Sequence, residues 1–140
     1  MMNKKEISTL GMVKSGVYQR LSQDPSLNAV INGVFDNVDE KTPYPYIVLG
    51  AMTGSPWGSK TSAGQEVTLT IHTWSDYPGD EEILIKIHPL ILEAISREPI
   101  DVGSGLSVML ARLEMEETLE SPDGMTRQGI IRFRFRIMEV

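Results

Sequence analysis

The sequence predicts an α+β fold: a mainly antiparallel sheet of about five strands with two main helices on one face, plus a short N-terminal helix turn. Three observations carry this. Ile7, Leu10, Val13, Val17 and Leu21 recur at the spacing of an amphipathic helix. Over Glu66–His72 and Ile131–Ile137 apolar and polar residues alternate strictly, the signature of a strand with one buried side. Strands also come in runs instead of alternating with helices, which favours an antiparallel sheet over parallel βαβ units.

In chain order, "KKEISTLGMVKSGVYQRLSQD" is the first helix, weakened by Gly11 and Gly16. Asp24-Pro25 offers an N-cap and an N1 proline, and Gly33 a stop, for a short helix over 25–32. "GVFDNV" and "YPYIVLGAMT" are short strands around the turn "DEKTPYP". "GQEVTLTIHTWS" sets Val67, Leu69 and Ile71 on one face and Glu66, Thr68, Thr70 and His72 on the other. A helix follows with Ile83, Ile87, Leu90, Ile91, Ala94 and Ile95 on a broad apolar face, and Pro89 predicts a kink within it. Two long strands around "ESPDGMT" close the chain.

A length of 140 residues suits a single domain, 1–140. Cysteine is absent, so disulfides and thiolate metal sites are excluded. The apolar runs Tyr46–Met52 and Ile83–Ile87 fall far short of the roughly 18–20 residues that span a bilayer. "MMNKKEISTLGMV" lacks the apolar stretch of a secretory leader, which leads to an expectation of a cytoplasmic protein. A net charge of −6 opposes nonspecific binding to DNA, which needs a dense basic face.

Arg132, Arg134 and Arg136 form a comb, but alternation explains it as the outward face of a strand whose inward face is Ile131, Phe133, Phe135 and Ile137. The preceding strand would turn Met109, Ala111, Leu113 and Met115 inward and Arg112, Glu114 and Glu116 outward. In a hairpin the favoured register sets Arg134 opposite Glu114 and Arg132 opposite Glu116, with Arg136 opposite Arg112 as an unfavourable pair. A shifted register, with Arg134 opposite Arg112, looks worse. This outward face is solvated or meets another subunit, ahead of a contact with nucleic acid, which the net charge opposes.

"GSPWGSKT" misses a phosphate-binding loop, because Ser59 replaces the second glycine and a strand follows where a helix is required. It reads instead as a long loop, 53–64, in which Pro56, Trp57 and Lys60 are interface candidates. "SDYPGDEE" lacks the spacing of a calcium loop and reads as helix capping. His72 and His88 fit no metal or catalytic motif and read as structural or surface residues.

The order and spacing of "DPSLNAVINGVFD", "PYPYIVLG", "GQEVTLTIHTWSDYPGDEE" and "LESPDGMTRQGIIRFRFRI" resemble the tail-completion, or tail-to-head joining, proteins of long-tailed bacteriophages and prophages. Pro89 departs from the uninterrupted helix expected there. The resemblance implies a structural protein with no catalytic residues and no cofactor. It would form a ring, typically of six copies, at the head-proximal end of the tail tube. Its partners would be itself, the tail tube protein and a head-completion protein of the neck. It would sit at the virion's tail–neck junction after assembly in the host cytoplasm, with DNA passing through but not read, and no membrane contact. An acidic ring would let DNA pass without sticking. Alternatives are a head-completion adaptor, a minor tail protein, or a small enzyme.

Overall fold

A computed structural model describes residues 5–140; residues 1–4, which hold the start of the segment read as lacking a leader and the first residue of the predicted first helix, lie outside the described residues. In order come α1 (Leu10–Gln23), α2 (Pro25–Asn28), β1 (Val34–Phe35), β2 (Tyr46–Gly58) and β3 (Ala63–Ser75). A π-helical turn (Glu82–Ile87) then runs into α3 (His88–Ser96), followed by β4 (Leu106–Glu120) and β5 (Arg127–Glu139). The five strands form one sheet in the order β1-β2-β3-β5-β4. The β1–β2 pair is parallel and the rest are antiparallel.

β5 lies between β3 and β4. Val67 pairs with Phe135, Leu69 with Phe133 and Ile71 with Ile131, so each strand's alternation delivers its apolar residues to the same face. α1 covers this face with Val13, Val17 and Leu21, and the second helical segment with Ile83, Ile87, Ile91 and Ile95, all buried. The faces predicted for β3, β5 and the second helical segment are those observed, as is that of α1 from Leu10 on; Ile7 lies ahead of α1, and β4 departs as described below.

Four local expectations change. The loop predicted over 53–64 is mostly strand. β2 and β3 stay paired from Thr53 opposite Thr68 to Gly58 opposite Ala63, leaving a turn at 59–62. Proline is tolerated at Pro56 because β1 covers only Ile47 and Val48, so this part of β2 has no other described strand beside it. The short helix ends at Asn28, and neither Asp24 nor the acidic residues before Glu82 make a side-chain cap. Asp24 is buried near Arg97, and Glu82 accepts the Ser75 hydroxyl at 2.6 Å.

At Pro89 the irregularity takes the form of a π turn. The His88 N–H reaches Ile83 O, five residues back, and α3 restarts with Pro89 in its first turn, where no N–H is needed.

The β4–β5 register is the largest correction. Arg112 stands opposite Arg134, the pairing set aside from sequence, and two bulges shift the ladder at Val108/Leu110 and Leu113/Met115. Each bulge inserts a residue and reverses the faces beyond it. Met109 is therefore 55% exposed, Met115 pairs with Arg132 on the outer face, and Glu116 pairs with Ile131 on the inner one.

Arg20 ties the helices together. Its guanidinium donates to Ala94 O at 2.6 Å and to Glu98 O and Pro99 O at 3.0 Å, satisfying carbonyls at the end of α3. One turn earlier, Gly16 lets α1 approach the segment after α3, since a Cβ there would lie 2.4 Å from Asp101 O. Gly11 has no such neighbour. The two glycines predict opposite outcomes in urea unfolding. Gly16→Ala is expected to lower stability by about 1–3 kcal/mol through overpacking. Gly11→Ala is expected to raise it by up to about 1 kcal/mol through helix propensity.

Candidate protein interface

The outer face of the sheet collects Glu66 of β3, Arg112 and Glu114 of β4, and Arg132, Arg134 and Arg136 of β5. Glu66 is the hub. It accepts from Arg136 Nε at 2.8 Å and from Arg134, which also donates to Glu114. The Arg136 hydrogen bond, and after it the Arg134 charge, hold the Glu66 carboxyl below its ordinary range. Glu114 and Glu66 together raise Arg134 in turn. Glu114 occupies the second β4 bulge, which carries it out of the ladder and over to Arg134.

Trp57, half-buried on β2, lies with its ring 5.4 Å from the Arg136 guanidinium. The stacking is a cation–π contact, favourable because the ring face is electron-rich. Beside this cluster is a depression of about 300 Å³ lined by Ala51, Thr53, Thr68, Thr70, Glu114, Arg132 and Arg134. Arg132 reaches Thr70 Oγ1 at 3.5 Å and, among the described residues, meets no carboxylate within ion-pair distance.

The structure thus brings together Trp57, Arg132, Arg134, Arg136 and Glu114. Pro56 is exposed on β2 opposite Gln65, and Lys60 is exposed in the 59–62 turn. Glu116 is elsewhere: its carboxylate accepts from His88 Nδ1 at 2.7 Å on the helix side of the sheet. The sequence reading missed Glu66 as the bridging acid. Its alternation with Val67 placed it correctly outward, but only β4 was considered as a neighbour of the arginine row.

The His88 ring is fully buried and its Nε2 has no hydrogen-bond partner. It packs over Gly129, where a Cβ would lie 2.4 Å from Nε2. A neutral ring donating from Nδ1 fits this arrangement, because a proton on Nε2 would be buried with no acceptor. His72 is half-buried and meets Gln128 at 2.8 Å. The arrangement offers contact chemistry: two arginines clamped by carboxylates, Arg132 and Arg112 without an ion-pair partner among the described residues, hydroxyls and an indole on one surface.

A family model described as tail completion protein gp17 matches residues 15–138. This chain belongs to that family. Tail completion protein gp17 of Bacillus phage SPP1 is 28% identical over 132 residues, which are 94% of this chain and 96% of the relative. The solved structure of SPP1 gp17 matches with TM-score 0.62 at 25% identity, covering 96% of this chain and 94% of that one. A chain from the virion of a native gene transfer agent particle matches with TM-score 0.82, covering 95% and 99%; at 20% identity the likeness is one of fold. For this gp17-family chain the recognition made from sequence order and spacing holds.

Burial holds His88 below its ordinary value near 6.5 against the upward pull of Glu116, and burial lowers His72 as well. The unfolded chain then binds protons more readily than the folded one. The stability from both rings is complete above about pH 6.5 and is lost as the pH falls below it. Glu66 and Asp123, whose carboxyls are held low, add their losses only in more acidic solution. Urea midpoints are expected to agree at about pH 7 and 8 and to drop by about pH 5.5, with a smaller drop in His72→Gln.

Proposed function

We propose that this chain is a structural subunit that closes into a ring, of six copies, at the head-proximal end of a phage tail tube. The ring ends tube growth and joins tail to head. It assembles in the host cytoplasm and remains at the tail–neck junction of the virion, bound to its own copies, the tail tube protein and a neck protein. The observation that carries this reading is membership of the tail completion family over nearly the whole chain. The outer sheet face supports it, because its polar groups sit on a rigid ladder and are suited to contacts between copies. Rings arise when unlike surfaces of one subunit meet at a rotation that closes.

The contacts assigned to this surface are Pro56, Trp57, Lys60, Arg132, Arg134, Arg136 and Glu114. Glu116, proposed with them from sequence, is occupied by His88.

Electron microscopy of the protein mixed with assembled tail tubes tests the role. Rings on one tube end only are expected. Decoration of tailless, DNA-filled heads alone would identify a neck adaptor instead. Trp57→Ala is expected to weaken tube-end binding by about 30-fold or more, the loss of a central aromatic contact. The thermal midpoint is expected to change little, since an exposed cation–π pair contributes only about 0.5–1 kcal/mol.

A further inference from the structure

The outer face of the sheet carries more positive charge than it neutralises. Arg134 and Arg136 are clasped by Glu66 and Glu114. Arg132 and Arg112 have no ion-pair partner among the described residues, although Arg112 stands opposite Arg134 in the ladder. The opposite imbalance lies where β3 turns into the π helix. Asp76, Asp80 and Glu81 are exposed there; among the described residues Arg127 reaches Asp80 at 3.4 Å, Asp76 and Glu81 have no cation within ion-pair distance, and Lys86 lines the same hollow as Glu81. The same turn exposes a large apolar surface: Ile85 is 70% exposed, with Tyr77 and Leu84 beside it. An apolar patch with a charged rim marks a protein contact.

We propose that the outer sheet face, at the depression beside Arg132, receives the Asp76–Ile85 turn of a second copy of this chain. This rests on the ring reading and names the two surfaces that meet. The depression supplies Arg132, three threonine hydroxyls and the Glu114-clamped Arg134, with Arg112 opposite Arg134 in the ladder. The turn supplies the Asp76 and Glu81 carboxylates together with Tyr77 and Ile85. Charge complementarity selects this occupant, since Arg132 and Arg112, which have no ion-pair partner among the described residues, face Asp76 and Glu81, which have none either. The two surfaces are different parts of one subunit, so every copy gives one and takes one. A contact of that kind propagates around a ring and leaves no copy with a spare face.

The absence of cysteine makes the test clean. Ala51 is exposed and lines the depression. At Gly79 a Cβ would meet nothing closer than the Tyr77 ring at 3.7 Å. Rings on tube ends are treated with a short bis-maleimide. The chain carrying both Ala51→Cys and Gly79→Cys is expected to give a ladder of dimers, trimers and longer products, while each single variant stays uncrosslinked. Arg132→Glu is expected to weaken ring formation by about 30-fold or more, the effect of truncating a desolvated charge pair. Adding Asp76→Arg in the same chain is expected to recover most of that loss. Normal rings without a ladder, or dimers from Ala51→Cys alone, would overturn the proposal and leave the ring reading standing. Failure of the unsubstituted protein to form rings on tubes would overturn both.

Discussion

β5 is hydrogen-bonded on both sides along nearly its whole length, to β3 and to β4, and its strict alternation is the constraint on which the other layers depend. Ile131, Phe133, Phe135 and Ile137 are buried under the helices, so β5 cannot shift by one residue without bringing arginines into the core. With β5 fixed, β3 must place Val67, Leu69 and Ile71 beneath the same helices. Glu66 must then emerge beside Arg136. The charged outer face is in this sense the reverse side of the core.

β4 obeys the constraint differently because it is an edge strand. It runs with β5 from Leu106 to Glu120 but inserts an extra residue twice. Each insertion changes which side chains face in. The first leaves Met109 exposed. The second frees Glu114 to join Arg134 and, two residues on, turns Glu116 under the sheet to His88. One bulge therefore serves two sites on opposite faces. Bulges and carboxylates along an exposed edge also discourage uncontrolled strand addition by other chains.

How much of this was legible in the sequence follows from the range of each interaction. Periods of two and 3.6 are local, so the apolar faces of α1, β3, α3 and β5 could be read directly. The proline at position 56 and the glycines at 54 and 58 make a loop-like local composition. Their strand conformation is imposed by pairing with β3, a tertiary effect that propensity does not register. The β4 bulges have no marker such as glycine or proline in "LSVMLARLEMEETLE", and face reversal after them could not be foreseen. The arginine comb was legible as a strand face. Its carboxylate hub was not, because Glu66 is 68 residues from Arg134 in the chain.

The charge arrangement on the outer face also explains why a stable sheet can keep a surface for assembly. Exposed ion pairs contribute only about 0–1 kcal/mol each to folding, so the Glu66 and Glu114 clamps are not what holds the sheet together. The core beneath does that. What the clamps do is order Arg134 and Arg136 before any partner arrives, which lowers the side-chain entropy lost on contact. Trp57 is ordered in the same way by stacking on Arg136. Arg132 differs, because covering it without a carboxylate would leave a desolvated charge unpaired at a cost of several kcal/mol. A surface with two clamped arginines beside Arg132 and Arg112, which no carboxylate pairs among the described residues, therefore discriminates. It tolerates burial against an acidic, apolar partner and penalises burial against any other.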